Sequence, residues 1–280
     1  MTETPRLTDR TALELHRARA RSVPEDFLHR EAAADLQERV AEVNKSFTSP
    51  ALIGGLTDAF RAIWSDAACV ADTPDIALER CVYDLILHVM ALHWADDPVG
   101  QLVQSRMALK PDGLFIAVLF GGQTLRELRI AMAQAESRVM GGISPRVLPM
   151  ADIRELGALL QRAGFALPVA DSRTLTVRYP SLDRLVSDLR GMGETNALAA
   201  RHREPGSRRL FSEAEAAYRD NFADAEGLLI ATFELVYLTG WAPHESQQQP
   251  LRPGSANARL SDALCVSERQ AGDPAKPVRR

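Results

Sequence analysis

Two short segments in the first third of the chain are suited to binding a nucleotide-like ligand. Gly54 and Gly55 follow an apolar run at residues 50–53, where a strand would break into a turn. Glycine lets a backbone come close to a ligand, although this pair could also form a plain strand-to-helix turn. Asp72 and Thr73 end a second apolar run, so the carboxylate could hold an adenine-like ring or start a turn before the next proline. All four are candidate cofactor-binding residues.

Two histidines lie near the end of a later apolar run. His88 belongs to the run that begins at Tyr83, and His93 follows beside Trp94. Since they lie on either side of a strand end, the two rings need not share a face. A metal site would need a third or fourth ligand, so no metal is predicted. We expect a polar role in a binding cleft, and His88 and His93 join the candidate cofactor-binding residues.

Polar segments also follow two later strands. A Gly-Gly-Gln-Thr segment comes directly after the apolar run 114–120, at the carboxyl end of a central strand, where open α/β sheets bind ligands. The alternative is an ordinary turn in which the threonine caps the next helix. A His-Glu pair follows the last predicted strand. The predicted set for a substrate or partner is Gly121, Gly122, Gln123, Thr124, His244 and Glu245.

The elements that must position these residues alternate between short strands and helices. Strands are predicted where apolar runs are bounded by turn residues, and helices where apolar residues recur with the helical period. The predicted strands are 51–54, 67–72, 83–89, 114–120, 174–179 and 229–238, and helices are predicted at 57–66, 99–109 and 150–163. A tight turn is expected at 110–113. This alternation predicts a doubly wound α/β fold with a mostly parallel sheet and an antiparallel edge.

The N-terminal segment, residues 1–48, is predicted to be helical and to lean on the sheet. Thr8 is the expected cap of its first helix. The basic cluster Arg17, Arg19 and Arg21 could reach an anionic ligand, but a solvated helix face is the favoured interpretation.

The remaining segments complete the predicted domain organisation. The sheet domain comprises residues 49–179 and 229–246, and a helical insertion at 180–228 separates its last two strands. In that insertion a capping box at Ser212 is expected to open a helix. The polar, proline-rich residues 247–280 are predicted to be a flexible tail.

Composition excludes several classes of protein. Of the 280 residues, 46% are hydrophobic and 25% charged, as in an ordinary globular protein. A net charge of −4 offers no general attraction to nucleic-acid phosphates. No run of about 18 apolar residues predicts a transmembrane helix. The 3 cysteines form no Cys-x-x-Cys pair, so a disulfide framework is not expected. We predict a cytoplasmic protein without a nucleic-acid partner.

Several segments together resemble one known family. Tyr83–Ile86, Ala91–Trp94 and the turn Leu109–Gly113 resemble class I S-adenosylmethionine-dependent methyltransferases. Five later runs are more specific: Phe120–Arg129, Gly142–Arg146, Leu159–Phe165, Gly191–Asn196 and Gly240–Gln247. They resemble the subfamily that contains complex I assembly factor 5, and the biotin-pathway malonyl-acyl-carrier-protein methyltransferase is a more distant relative. The resemblance covers roughly residues 10–255.

The resemblance implies a Rossmann-like, seven-stranded sheet with S-adenosylmethionine across the carboxyl ends of its first strands. This sequence departs from the family pattern, because Leu56 stands beside the glycine pair and a third glycine is missing. Between Ala51 and Asp84 there is room for only one helix and one short strand, so one βα unit is expected to be missing. Asp72 then matches the adenine-binding acid, and no acid remains for the ribose. We expect binding of S-adenosylmethionine to be weakened or lost.

Three functional hypotheses follow from the resemblance. The chain is interpreted first as a methyltransferase-family protein with an eroded cofactor loop, acting on a protein substrate. The second hypothesis is a respiratory complex I assembly factor, since that subfamily is associated with hydroxylating an arginine of a complex I subunit. The third is a non-catalytic module that binds a protein partner. The intact later runs and the eroded loop favour the second or third hypothesis over an active methyltransferase.

Overall fold

The computed structural model describes residues 6–248. Up to His244 these residues form one unit, built on a six-stranded sheet. The strands are β1 (Pro50–Ile53), β2 (Ala68–Val70), β3 (Tyr83–Val89), β4 (Leu109–Phe120), β5 (Ala166–Tyr179) and β6 (Leu229–Trp241), in the spatial order β2-β1-β3-β4-β6-β5. Strands β1 to β4 pair in parallel, whereas β6 is antiparallel to both β4 and β5. The predicted Rossmann-like α/β sheet with an antiparallel edge is confirmed, and in the described residues it has one strand fewer than the seven that the resemblance implies.

Helices cover both faces of this sheet. They are α1 (Arg10–Ala20), α2 (Phe27–Glu42), α3 (Asp58–Arg61), α4 (Pro98–Ala108), α5 (Arg126–Met140), α6 (Ile153–Arg162), α7 (Leu182–Gly191) and α8 (Arg208–Phe222), with a 3₁₀ turn at Leu92–Trp94. None of the helices within residues 6–248 is both long enough and apolar enough to cross a membrane. Residues 249–280, which make up most of the predicted tail, lie outside the described part of the chain.

The core is divided between the two faces of the sheet. In β3, Leu85 and Leu87 point into one cluster with α2, α5, α7 and α8, while Ile86 points into a second cluster with α4 and α6. Side chains along β4 alternate in the same way, as the pleat of a strand requires. Because both faces are buried, the central strands are apolar throughout.

Two helix starts differ from the sequence prediction. Asp9, not Thr8, caps α1 by accepting a hydrogen bond from the backbone N–H of Ala12, while the Thr8 hydroxyl donates to the carbonyl of Trp94. Helix α8 begins with Ser207 as its cap, so Ser212 lies inside the helix. In both cases a nearby side chain with the same capping chemistry competes for the position.

The segment between β1 and β3 is less regular than predicted. The helix expected at 57–66 is reduced to the four residues of α3. The expected turn at 110–113 is a bulge at the start of β4, where the register with β3 shifts and Asp112 takes a positive φ of 60°. Strand β5 begins earlier than expected, at Ala166, because it pairs along the full length of β6.

Candidate functional site

The predicted cofactor residues at the first two strand ends meet in one cleft. Gly54, Gly55, Asp72 and Thr73 line an opening of about 350 Å³ at the carboxyl edge of β1 and β2. This is the edge at which open α/β sheets bind ligands. The structure therefore brings these four residues together, and their role in binding a cofactor stays a prediction.

Helix α1 fills one side of this cleft with an arginine side chain. Arg17 Nη1 lies 2.6 Å from Asp72 Oδ1, and Arg10 Nη1 lies 3.2 Å from Asp72 Oδ2. A Cβ atom built on Gly55 would lie 2.3 Å from Arg17 Nη1, so the guanidinium rests directly against the glycine backbone. Arg17 is 5% exposed and Asp72 is 1% exposed. The space that the glycine opens is occupied by the protein itself.

The Asp72 carboxylate is held in its charged form. Burial alone would raise its pKa, but the charge of Arg17, its hydrogen bond and the charge of Arg10 outweigh burial and lower the pKa. Two guanidinium groups already use the carboxylate oxygens. An adenine or ribose group would therefore have to share the Asp72 carboxylate with these two arginines or displace one of them.

His88 lies beneath the cleft rather than in it. The ring is fully buried, and its Nε2 is 2.9 Å from the side-chain oxygen of Gln101. The amide nitrogen of Gln101 in turn donates to the carbonyls of Asp72 and Thr73. Burial lowers the pKa of His88 to about 4, so the ring is neutral at physiological pH. The structure thus places His88 as a support for segment 72–73.

His93 lies in a separate buried group with Glu194 and Trp94. Glu194 Oε2 accepts a hydrogen bond of 2.8 Å from Trp94 Nε1 and lies 3.2 Å from His93 Nε2. Burial alone would raise the pKa of Glu194. The neighbouring His93 and Arg17 and the hydrogen bonds to the carboxylate outweigh burial and lower the pKa below its usual value, so the carboxylate is ionised. His93 also packs on Phe120, with ring centroids 5.1 Å apart. In the described part of the chain no group of three or more His, Cys, Asp or Glu side chains could hold a metal.

The Gly-Gly-Gln-Thr segment is hydrogen-bonded to β6. The backbone N–H of Gly121 donates to the carbonyl of Glu234, and that of Gln123 donates to the Glu234 carboxylate. The hydroxyl of Thr124 exchanges hydrogen bonds with the backbone of Glu234. A Cβ atom on Gly121 would lie 2.6 Å from the Glu234 carboxylate, whereas Gly122 has its nearest neighbour at 3.4 Å. The close approach at Gly121 is therefore to a neighbouring strand.

A larger cavity, of about 440 Å³, lies next to this segment; we call it the carboxyl-edge cavity. Its lining includes Thr124 from the segment, Phe120 from β4, and Glu194 and Trp94 from the buried group. Helices α5 and α7 complete the wall with apolar side chains such as Leu128 and Leu189.

The structure does not bring His244 to this edge. Strand β6 runs antiparallel to β4, so Trp241 pairs with Leu114 at the amino end of β4, away from Phe120. His244 follows Trp241 and is exposed, as is Glu245 at the start of the second unit. Within the first unit the predicted substrate or partner set is thus split: Thr124 lines the carboxyl-edge cavity, whereas His244 follows the other end of β6.

Two charged residues that the structure places at the site, Arg17 and Glu194, were not predicted from the sequence to lie there. Arg17 was assigned to a solvated helix face, but it follows the buried Leu13 by one helical turn and precedes the buried Ala20. That spacing could have indicated an inward position. Glu194 lies in the Gly191–Asn196 run that carries the family resemblance, but nothing in its spacing distinguishes it from a surface acid.

The cleft does not fit S-adenosylmethionine in the position that the resemblance implies. Arg17 occupies the side of the glycine loop, and Asp72 is ion-paired to two arginines. In that position the cofactor and Arg17 would compete for the same space.

Comparison with curated proteins gives clear sequence relatives, although no family model matches the chain. The arginine-hydroxylase NDUFAF5 of Danio rerio is 36% identical over 206 residues, which cover 73% of this chain and 64% of that protein. The human protein of the same name is 37% identical over 197 residues, covering 69% of this chain and 56% of that protein. A malonyl-[acyl-carrier protein] O-methyltransferase of Xylella fastidiosa is 33% identical over 181 residues, or 64% of this chain and 59% of that protein.

The chain thus spans less than two thirds of the length of these relatives. The NDUFAF5 relatives are mitochondrial by name, and the cytoplasmic location of this chain stays a prediction. Among solved structures, the YcgJ protein from Bacillus aligns with a TM-score of 0.48 at 12% identity, over 76% of this chain and 99% of that one. By sequence, the chain is homologous to the arginine-hydroxylase NDUFAF5 proteins and, at lower identity, to the malonyl-[acyl-carrier protein] O-methyltransferases.

Proposed function

We propose that this chain is a protein-binding relative of the NDUFAF5 proteins that works without S-adenosylmethionine and engages its partner at the carboxyl-edge cavity. The position of Arg17 is the observation that carries the proposal. Its guanidinium lies against Gly55 and neutralises Asp72, so the two groups that would hold the cofactor are already engaged.

The energetic cost of opening the cleft supports this proposal. A cofactor placed beside the glycine loop would have to displace Arg17 and leave Asp72, which is 1% exposed, with Arg10 alone. Because Arg10 stays beside Asp72, we expect this loss to cost about 2 to 3 kcal/mol, at the lower end for a buried ion pair that loses one partner. Since about 1.4 kcal/mol corresponds to a tenfold change in affinity, the cleft would bind the cofactor about thirtyfold to a hundredfold more weakly than an open one.

The nature of the partner rests on the homology. NDUFAF5 proteins are named as arginine-hydroxylases, and the resemblance in sequence implies a subunit of respiratory complex I as their target. We therefore propose a complex I subunit as the partner of this chain. The apolar carboxyl-edge cavity, of about 440 Å³, is of a size that can receive side chains of such a partner.

Calorimetric titration of the full chain with S-adenosylmethionine tests whether the cofactor is used. We expect heats equal to dilution for the native chain and for a control variant, Arg154→Ala, whose exposed side chain lies away from both openings. The double variant Arg17→Ala/Asp72→Asn removes the ion pair without leaving a buried charge, and should gain measurable binding if Arg17 is what blocks the cleft. Saturable binding to the native chain would overturn the proposal.

Affinity purification tests the partner. The full chain and the variant Val186→Glu, which places an acid in the cavity wall, would be used as bait in extracts of the cells that make the protein. We expect complex I subunits to be identified by mass spectrometry with the native bait and reduced with the variant. Equal recovery with both baits, or recovery of no complex I subunit, would contradict the proposed partner site.

A further inference from the structure

The interior of the carboxyl-edge cavity is apolar. Aromatic and aliphatic side chains from five elements line it, among them Phe120, Leu128, Leu189, Phe211 and Phe233. Specific ligand sites in proteins occupy roughly 300–1,000 Å³ and combine such a lining with a few polar groups. A volume of about 440 Å³ gives room for one bulky apolar side chain of a partner, with space around it.

The charged side chains of the lining are mostly basic. Four arginines, Arg146, Arg190, Arg201 and Arg203, line the cavity, and Glu194 is its one acidic lining residue among the described residues. Two of these arginines come from the segment between α7 and α8, and Arg190 comes from α7 itself. The positive charge is therefore spread over separate elements around the cavity.

This charge is only partly compensated within the protein. Arg146 is paired with Glu136 at 2.7 Å, and Arg201 and Arg203 share a single acid, Asp9. Arg190 is exposed and forms no ion pair with any residue in 6–248. At least two positive charges are thus left for a ligand: Arg190 and one of the two arginines on Asp9.

Glu194, the acid in the cavity wall, does not offset this positive charge. Glu194 accepts a hydrogen bond from Trp94, lies against His93, and has Arg17 as a nearby charge. An arginine side chain entering the cavity would meet two arginine charges without a compensating acid among residues 6–248, and one carboxylate that already has partners. The charge pattern therefore opposes a basic target and favours an acidic one.

We infer that the carboxyl-edge cavity docks an acidic segment of a partner protein, with one bulky apolar side chain of that segment as its anchor. The inference rests on the proposed function in one respect, namely that the partner is a protein. A single small anion would meet only one or two of the separated arginines, whereas a peptide can present several carboxylates around one anchor. The apolar interior would bury the anchor side chain, and the arginines would favour acidic residues next to the anchor in the bound segment.

Fluorescence anisotropy with labelled peptides tests the inference on the full chain. The probe is Asp-Glu-Phe-Glu-Asp, with Arg-Lys-Phe-Lys-Arg as the charge-reversed peptide and Asp-Glu-Ala-Glu-Asp as the peptide without an anchor. We expect the first peptide to bind, the second to show no saturable binding, and the third to bind at least about thirtyfold more weakly. Binding of the acidic peptide should also weaken as salt is added.

Variants of the chain locate the binding site. Arg190→Glu should weaken the acidic peptide about tenfold, whereas Arg154→Glu, an equal charge change away from the cavity, should leave its affinity unchanged. Circular dichroism at matched temperature confirms that both variants are folded, since each changes an exposed side chain. Val186→Trp, which fills the cavity, is a second variant and should reduce binding without a charge change.

Three results would overturn the inference. They are equal binding of the acidic and basic peptides, equal effects of Arg190→Glu and Arg154→Glu, and displacement of the peptide by decanoate at lower concentration than by unlabelled peptide. The last would assign the cavity to a small amphipathic anion. None of these measurements involves S-adenosylmethionine. Binding of the cofactor would contradict the proposed function, and the peptide measurements would still test the inference independently.

Discussion

At the scale of single residues, Arg17 decides the state of the cofactor-like cleft. A glycine in a loop at the carboxyl end of a strand often lets a ligand come close to the backbone. At Gly55 the group that comes close is the Arg17 side chain of the same protein. The pairing with Asp72 fixes both residues, because an uncompensated charge in a buried position is costly. The same contact therefore contributes to the stability of the fold and blocks the cleft.

Loss of the Arg17 side chain should destabilise the fold. Arg17→Ala leaves the buried Asp72 with Arg10 alone, and we expect the free energy of unfolding to fall by about 2 to 3 kcal/mol. The double variant Arg17→Ala/Asp72→Asn should recover part of this loss because no buried charge remains. Arg30→Ala breaks the exposed pair with Asp26 and serves as the control, with an expected loss below about 1 kcal/mol. Urea unfolding measures all four proteins, and similar losses for Arg17→Ala and Arg30→Ala would contradict the prediction.

His88 should make stability depend on pH. Its pKa is about 4 in the folded chain because burial opposes its charge, against 6.5 for a free histidine. Between these two values the unfolded chain binds the proton and the folded chain does not, so stability falls as the pH is lowered from 6.5 to 4, by about 3 kcal/mol in total. His29, whose pKa burial also lowers, adds to the same trend.

The variant His88→Gln isolates this contribution. A plot of unfolding free energy against pH should be flatter for His88→Gln than for the native chain, with a slope that remains from His16, His29 and the acids whose pKa is lowered. His202→Gln changes an exposed ring and should leave the slope as it is. An unchanged slope for His88→Gln would show that the buried ring is not the titrating group.

At the scale of elements, the sequence predicted the central strands well and their connections poorly. Strand β3 matches its prediction at both ends, because an apolar run buried on both faces has few alternatives. The start of α8 was misplaced because Ser207 and Ser212 carry equivalent capping groups, and only tertiary packing selects between them. The inward position of Arg17 depends on how α1 lies across the sheet, which local patterns do not encode.

The glycine pair after β4 allows a matched test of what the loop requires. In Gly121→Ala the new methyl group would lie 2.6 Å from the Glu234 carboxylate and from Val236, so we expect a loss of about 1 to 3 kcal/mol in unfolding free energy. In Gly122→Ala the nearest atom is at 3.4 Å, and the change should be within about 0.5 kcal/mol. Chemical denaturation compares the two variants. If Gly122→Ala were the more damaging, the segment would not be constrained by β6 as the structure indicates.

At the scale of the whole molecule, the N-terminal helices are part of the sheet domain's core. Leu28, Ala32 and Leu36 of α2 share one cluster with residues of β3, β4 and β6. The hydroxyl of Tyr237 in β6 donates to Asp35 of α2 over 2.6 Å. The helices of residues 1–48 were predicted to lean on the sheet, and these contacts tie the stability of α2 to the sheet.

Unfolding should therefore be one cooperative transition for helices and sheet together. We expect far-ultraviolet circular dichroism and tryptophan fluorescence to give the same midpoint in urea, since Trp94 is buried at the sheet edge and α2 contributes to the helical signal. Leu36→Ala should lower both midpoints equally, with a loss of about 2 to 4 kcal/mol, because Leu36 is fully buried. Leu15→Ala, at a position 52% exposed on α1, should change stability by less than about 0.5 kcal/mol. Separate midpoints for the two signals, or a fluorescence midpoint that does not respond to Leu36→Ala, would mean that α2 unfolds independently of the sheet.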